Sequence, residues 1–287
     1  MTNSIRNNNQ QIKKPVAVAC AKLILVGEHA AVAGFPALAI PMTSLNLKAQ
    51  ISKEKNIQQA NIITKIFDKN QQTNSAKIKF KIISNIPQKS GLGSSAAFAT
   101  AVIRALYNYH HLTYTKKQLF KIVQQCETVY HGKPSGLDAA TVIYQQPVLL
   151  KNNKTTCISI HDQDINKIVL INSGQATEST KEMIGHVSKN LHKNKIFNQL
   201  GLLCQQYLEN SITLKQLFYQ AHQLLNALGV VGDRAKQIIS QIEKIGGAAK
   251  ISGAGGRKTG SGIIAAYHQD KNILVQLCKN NNYQLIN

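Results

Sequence analysis

The 287-residue chain predicts an α+β fold in two domains. Strand-like and helix-like patterns mix along it without the regular βαβ alternation that builds a doubly wound sheet. The length exceeds what one hydrophobic core commonly serves and favours two of medium size. A polar stretch over residues 151–166 parts two patterned halves, which places the domains at 1–160 and 161–287.

Residues 1–14 are rich in Asn and Gln and read as a frayed lead-in. From 16 to 26 the chain is almost continuously apolar and partly β-branched, the pattern of a buried strand, interrupted by Lys22. KIKFKII at 77–83 puts Ile78, Phe80 and Ile82 on one face and Lys77, Lys79 and Lys81 on the other, as a half-solvated antiparallel strand does. Helices are expected over 94–110 and 116–130, the second with Leu119, Ile122, Val123, Cys126 and Val129 on one stripe. Turn residues dominate 131–138. A strand is expected at 167–173 and helical patterns over 179–245. The chain then predicts a strand at 248–252, a glycine loop, a strand at 261–267 and a helix over 270–280. No internal repeat is visible.

Hydrophobic residues make up 43%, enough for a folded core, and the formal net charge of +21 suits an anionic partner. The cations are scattered among Asn and Gln, aromatics are only 6%, and no arginine-rich arm appears. That argues against a dedicated nucleic-acid binder. Five cysteines (Cys20, Cys126, Cys157, Cys204, Cys278), an odd number without a C-x-x-C, read as reduced thiols used as small core residues. The N-terminus shows no apolar h-region and no apolar run reaches about 18 residues, so a soluble cytoplasmic protein is expected.

Four segments carry candidate chemistry. In PQKSGLGSSAAF at 87–98, two glycines and two serines precede an apolar helix. The first amides of a helix lack intrahelical partners and its aligned dipoles make that end partly positive; a phosphate answers both. Gly91 and Gly93 permit close approach and positive φ, and a serine hydroxyl can cap the helix or reach a metal. An ordinary Ser-capped helix fits the same residues, and no G-x-x-x-x-G-K-[ST] phosphate loop is present.

In HGKPSGLDAAT at 131–141, Pro134 and Gly136 fix a tight turn that presents Asp138. This carboxylate could accept a proton from a substrate hydroxyl or cap the next helix. Glu127 ends the preceding helix, where the dipole disfavours an anion by about 0.3–1 kcal/mol. A bound cation or Lys133 would relieve it.

Lys22 needs a carboxylate, a phosphate or a route to solvent, because an unpaired charge in a buried strand is costly. The polar groups of Gly27-Glu28-His29-Ala30-Ala31 follow at that strand's end. In SGAGGRKTGSG at 252–262, five glycines allow a backbone that wraps a ligand or a neighbouring loop, or a flexible hairpin. KTG at 258–260 and SKEK at 52–55 mimic two elements of the serine β-lactamase set; the S-D-N element is missing and the match is read as chance.

Taken in order, KLILVGEHAAVAGFPALA at 22–39, PQKSGLGSSAA at 87–97, ETVYHGKPSGLDAAT at 127–141, STKEM at 179–183 and SGAGG at 252–256 resemble the GHMP superfamily of small-molecule kinases. Within it they are most similar to the mevalonate kinase family, since HGxPSGxD follows a Glu. The resemblance spans most of the chain. It implies a two-domain fold with the active site in the cleft between the domains, and ATP-dependent phosphorylation of the primary hydroxyl of mevalonate. It also implies roles. Asp138 would be the base, with Lys22 beside it to stabilise the alkoxide and the transferred phosphoryl group. Ser95 and Glu127 would hold Mg²⁺. Lys89, Ser90, Gly91, Leu92, Gly93, Ser94 and Ser95 would bind ATP, the amides of 91–94 cradling its triphosphate. Glu28, His29 and Thr180 would face the substrate.

The implied partner is a small molecule, neither nucleic acid nor membrane, with homodimerisation left open. Another GHMP kinase, for phosphomevalonate, homoserine or a sugar, and a non-catalytic nucleotide-binding relative are the alternatives. Four places depart from the family pattern. Cys20-Ala21 replaces the usual Pro-Gly before the lysine, and Lys89 a small residue. Arg257 and Lys258 stand where glycines are usual, and Glu178 where several relatives carry a basic residue.

Overall fold

A computed structural model describes residues 16–52 and 58–286. The lead-in at 1–14 and residues 53–55 of the SKEK segment lie outside the described residues. Two antiparallel sheets draw on separate halves of the chain. The first contains β1 (Val16–Val26), β2 (Ala37–Ser52), β4 (Val148–Lys151) and β5 (Lys154–Cys157) in that spatial order, with β3 (Lys79–Ser84) on the far end of β2. The second orders β7 (Ala248–Ser252), β8 (Ile263–Tyr267), β6 (Val169–Asn172) and β9 (Gln284–Ile286).

The first half adds α1 (Gln58–Gln71), α2 (Ser94–Tyr109), α3 (Lys116–His131) and α4 (Leu137–Tyr144). The second adds α5 (Thr180–Ser188), α6 (Lys193–Leu208), α7 (Leu214–Ala227), α8 (Asp233–Lys244) and α9 (Lys271–Asn280). α2 is apolar nearly all round and buried, as such a helix must be. Its alanines at 96, 97, 99, 101 and 105 let it lie close against β1 and β2. Leu23 and Leu25 of β1, Phe218 of α7 and Ile251 of β7 belong to one continuous apolar core shared by both halves.

β2 was not expected, and its sixteen residues include Pro41. Pro41 sits opposite Lys22, whose own amide turns away from β2 to donate to the carbonyl of Leu92 at 3.0 Å. The pair is therefore a non-hydrogen-bonded one, where proline costs the ladder nothing. β3 begins at Lys79, two residues later than expected, but the alternation of the segment holds, with Ile78 and Phe80 buried and Lys77, Lys79 and Lys81 exposed. Val129 departs from the expected stripe of α3 and is 58% exposed. The stripe instead continues four residues after Cys126 to Tyr130, which packs against the core.

The polar stretch 151–166 carries structure. Asn152 and Asn153 both adopt left-handed φ (53° and 58°), the geometry of a tight hairpin between β4 and β5. All five thiols are free, four of them buried. Among the described residues, no helix is long and apolar enough to cross a membrane.

Candidate active site

Lys22 enters the site from the middle of β1, only 2% exposed. Its Nζ meets Oδ1 of Asp138 at 3.0 Å, so the buried charge that the strand pattern flagged has a carboxylate partner. Asp138 lies in the first turn of α4, behind Gly136 in the left-handed region (φ 85°). It does not cap that helix. The carboxylate stands at the positive end of the helix dipole and keeps 36% of its side chain open. Lysine is closed off while the acid remains accessible.

Lys22 also fixes the glycine turn. Gly93, at φ 72° and ψ 31°, occupies the N-cap of α2, and no side chain caps this helix. A serine cap is thus corrected to a glycine one. The ladder begins with the amide of Ala97 donating to the carbonyl of Gly93, which leaves the preceding amides without helical partners. A Cβ on Gly93 would lie 2.7 Å from Cγ of Lys22; glycine lets the positive helix end and the lysine stem touch. Leu92 is buried below, Ser90 Oγ donates to the carbonyl of Pro87, and Lys89 is exposed with φ 51°.

The third glycine loop closes on the same turn. A Cβ on Gly91 would meet the carbonyl oxygen of Ser252 at 2.0 Å, and one on Gly253 the Cα of Gly91 at 2.5 Å. Both glycines have positive φ (83° and 90°). The amide of Ile263 donates to the carbonyl of Ser90 at 3.1 Å. Two loops more than 150 positions apart therefore cross backbone to backbone, and the site lies where the two halves meet.

Ser95 does not cap α2 but turns to α3. Its Oγ donates to Oε2 of Glu127 at 3.3 Å and lies 3.1 Å from Nε2 of His131. Glu127 is 3% exposed, and its Oε1 has no hydrogen-bond partner. Burial, and then the charge of Asp138, push its pKa up to about 7, against the pull of Ser95 and Lys22. Burial holds His131 below its ordinary value, with Asp138 opposing. Glu127 thus pairs with Ser95 and His131, not with Lys133. A buried carboxylate oxygen with no donor, beside a hydroxyl and a second carboxylate, is a fitting environment for a hard divalent cation.

Glu28, His29 and Thr180 do not gather around the Lys22–Asp138 pair through any direct bond. Glu28 is buried and ion-paired with Lys250 of β7. His29, in the left-handed region at φ 62°, donates from Nε2 to the carbonyl of Ala254 at 3.0 Å. Burial lowers its pKa to about 4, so the ring is neutral. Thr180 is exposed at the start of α5, beyond the cap formed by Ser179 and Glu182. Its neighbour Glu178 accepts from the amide of Arg257, which brings that segment to the third loop. Sequence reasoning missed Lys250 and His131. Lys250 carried the same signal as Lys22, a lysine inside an apolar strand.

The architecture and the motifs have counterparts among known proteins. Residues 61–146 match the model of the GHMP kinases N terminal domain. The mevalonate kinase of Methanocaldococcus jannaschii is 26% identical, over 88% of this chain and 91% of that protein. The one from Archaeoglobus fulgidus is 27% identical, over 84% and 89%. The crystal structure of the Methanococcus jannaschii mevalonate kinase superposes with a TM-score of 0.82 over 98% of each chain at 22% identity. That of L. major mevalonate kinase in complex with R-mevalonate gives 0.74 over 92% and 91%, at 21% identity. The fold is that of the GHMP kinases, and the similarity to mevalonate kinases runs along most of the chain.

Proposed function

We propose that this chain is an ATP-dependent kinase that phosphorylates the primary hydroxyl of mevalonate, giving 5-phosphomevalonate. The observation that carries the reading is the Lys22–Asp138 pair, 3.0 Å apart, lying directly against the uncapped N-terminus of α2. Phosphoryl transfer asks a protein mostly for alignment and for neutralisation of charge spread over the phosphoryl oxygens. These residues supply both.

Asp138 takes the proton as the substrate oxygen bonds to the γ-phosphorus, and the bond to the leaving ADP breaks. The ammonium of Lys22 faces the forming alkoxide and the transferring group, and its tie to Asp138 keeps the two groups in register. Around them, the segment 89–95 receives the triphosphate, with the free amides of α2 as donors. Ser95 and Glu127 are the residues that would hold Mg²⁺, a role that the donorless Oε1 of Glu127 fits. When bound, that ion neutralises charge on the β- and γ-phosphates. Glu28, His29 and Thr180 serve the substrate side. Residues 1–160 and 161–287 act as the two domains flanking the cleft, in keeping with a separate sheet in each half.

ADP release with Mg-ATP over mevalonate, phosphomevalonate, homoserine and galactose tests the reading. Turnover is expected with mevalonate at least about ten-fold above the others, the scale of discrimination that one mismatched polar contact gives. Equal or greater turnover with another alcohol would reassign the substrate; no alcohol-dependent ADP release would remove the kinase.

A further inference from the structure

Resting on that kinase reading, we propose that Lys250 is a positioning residue for the alcohol substrate: it ties one carboxylate oxygen of Glu28 so that the other is presented to a substrate hydroxyl.

Every residue of the strand AAKIS is buried, Lys250 completely so. Its ammonium has three donors, and three acceptors meet them: the carbonyl of Ile24 at 3.1 Å, the carbonyl of Ile251 at 2.8 Å, and Oε1 of Glu28. The ring of Phe218 lies 5.7 Å away. A saturated, enclosed ammonium has no donor left for a phosphate, so Lys250 does not act on the reacting groups itself.

Glu28 is used only by half. Its Oε2 is buried and has no hydrogen-bond partner. Such an acceptor is costly unless a donor arrives, and a hydroxyl of a bound alcohol is a donor of the right kind. The neighbouring His29 already commits Nε2–H to Ala254. Within the turn after β1, Glu28 Oε2 is therefore a buried side-chain acceptor left for a ligand.

Lys250 connects this acceptor to the chemistry. Ile24 lies two residues past Lys22 in β1, and Ile251 leads into the loop whose Gly253 crosses Gly91. One ammonium thus fixes Glu28 relative to both the Lys22–Asp138 pair and the phosphate turn. Stability alone does not account for the pair, since buried ion pairs are often matched or bettered by apolar replacements.

The test uses the full chain as wild type, Lys250→Met, Glu28→Gln and the double variant, with KM for mevalonate and for ATP and thermal unfolding measured on each. Lys250→Met and Glu28→Gln are expected to raise KM for mevalonate about ten-fold, the effect of losing one hydrogen bond to a charged group. KM for ATP and kcat should move less than about three-fold. In the double variant no unpaired charge remains, so the melting temperature recovers, yet KM for mevalonate stays high. A folded Lys250→Met with unchanged KM, or a double variant whose KM recovers with its stability, overturns the proposal; if Lys250→Met fails to fold, the double variant and Glu28→Gln decide. A wild type without mevalonate turnover would instead sink the kinase reading, and this proposal with it.

Discussion

Gly93 carries no side chain because Lys22 occupies the space that one would need. Gly93→Ala places a methyl 2.7 Å from Cγ of Lys22 on a backbone at φ 72°, a conformation that alone disfavours alanine by about 1 kcal/mol. The lysine must move from Asp138. Turnover should fall at least about ten-fold while the melting temperature drops only by about 2–4 °C; a variant with full turnover would separate the turn from the lysine. Glu127 makes a different case. In Glu127→Gln the donorless buried oxygen no longer belongs to a carboxylate, so the free protein should be no less stable than the wild type. The Mg²⁺ concentration giving half-maximal binding of nucleotide should rise about ten-fold or more. An unchanged Mg²⁺ requirement would remove Glu127 from the metal site.

At the scale of elements, α7 contains a titration the mechanism does not use. His222 is buried within it; burial first, then the charges of Lys236 and Lys250, lower its pKa to about 4. Between about pH 4 and 6.5 the unfolded chain binds the proton that the native ring refuses, so this stability is complete above 6.5 and lost as pH falls through 4. His222→Leu should remove up to about 3 kcal/mol of the stability lost on the acid side and so flatten the melting-temperature profile there, His29 retaining its own share. Parallel wild-type and variant profiles would contradict this.

Elements also show what sequence could reveal. β1 and β7 were legible to the residue because apolar runs of strand length were bounded by turn residues, and α2 and α3 because their periodicity was long. β2 was hidden by Pro41 and by polar residues that only its changing partners explain, pairing with β4 at one end and β3 at the other. β9 spans three residues, too few to carry a period. In the site, Lys22 and Asp138 could be singled out by type and setting. Their pairing, the glycine cap and the crossing of Gly91 with Gly253 depend on contacts between distant segments, which no local pattern encodes. Lys250 was legible by the rule applied to Lys22, but a three-acceptor cage could not be read from one strand.

Across the whole molecule, 34 cations face 13 acids, and both buried lysines described here are already paired to carboxylates. Among the described residues the excess therefore lies at the surface, as the exposed Lys79 and Lys81 of β3 illustrate. Mevalonate-dependent ADP release should change less than about three-fold between 50 and 200 mM salt, because the reacting groups are drawn together by geometry more than by the long-range field. A chain built to bind nucleic acid would lose about 10³–10⁵ in affinity over that interval. Tight polynucleotide binding with that salt slope would redirect the function.

The kinase account stands on one carboxylate held by one lysine at the mouth of the phosphate turn. Parallel measurement of turnover and nucleotide affinity in Asp138→Asn tests it most directly. Replacing the base is expected to lower kcat by about 10²–10⁴-fold while leaving nucleotide affinity within a few-fold of the wild type. Near-normal turnover in that variant would contradict the account.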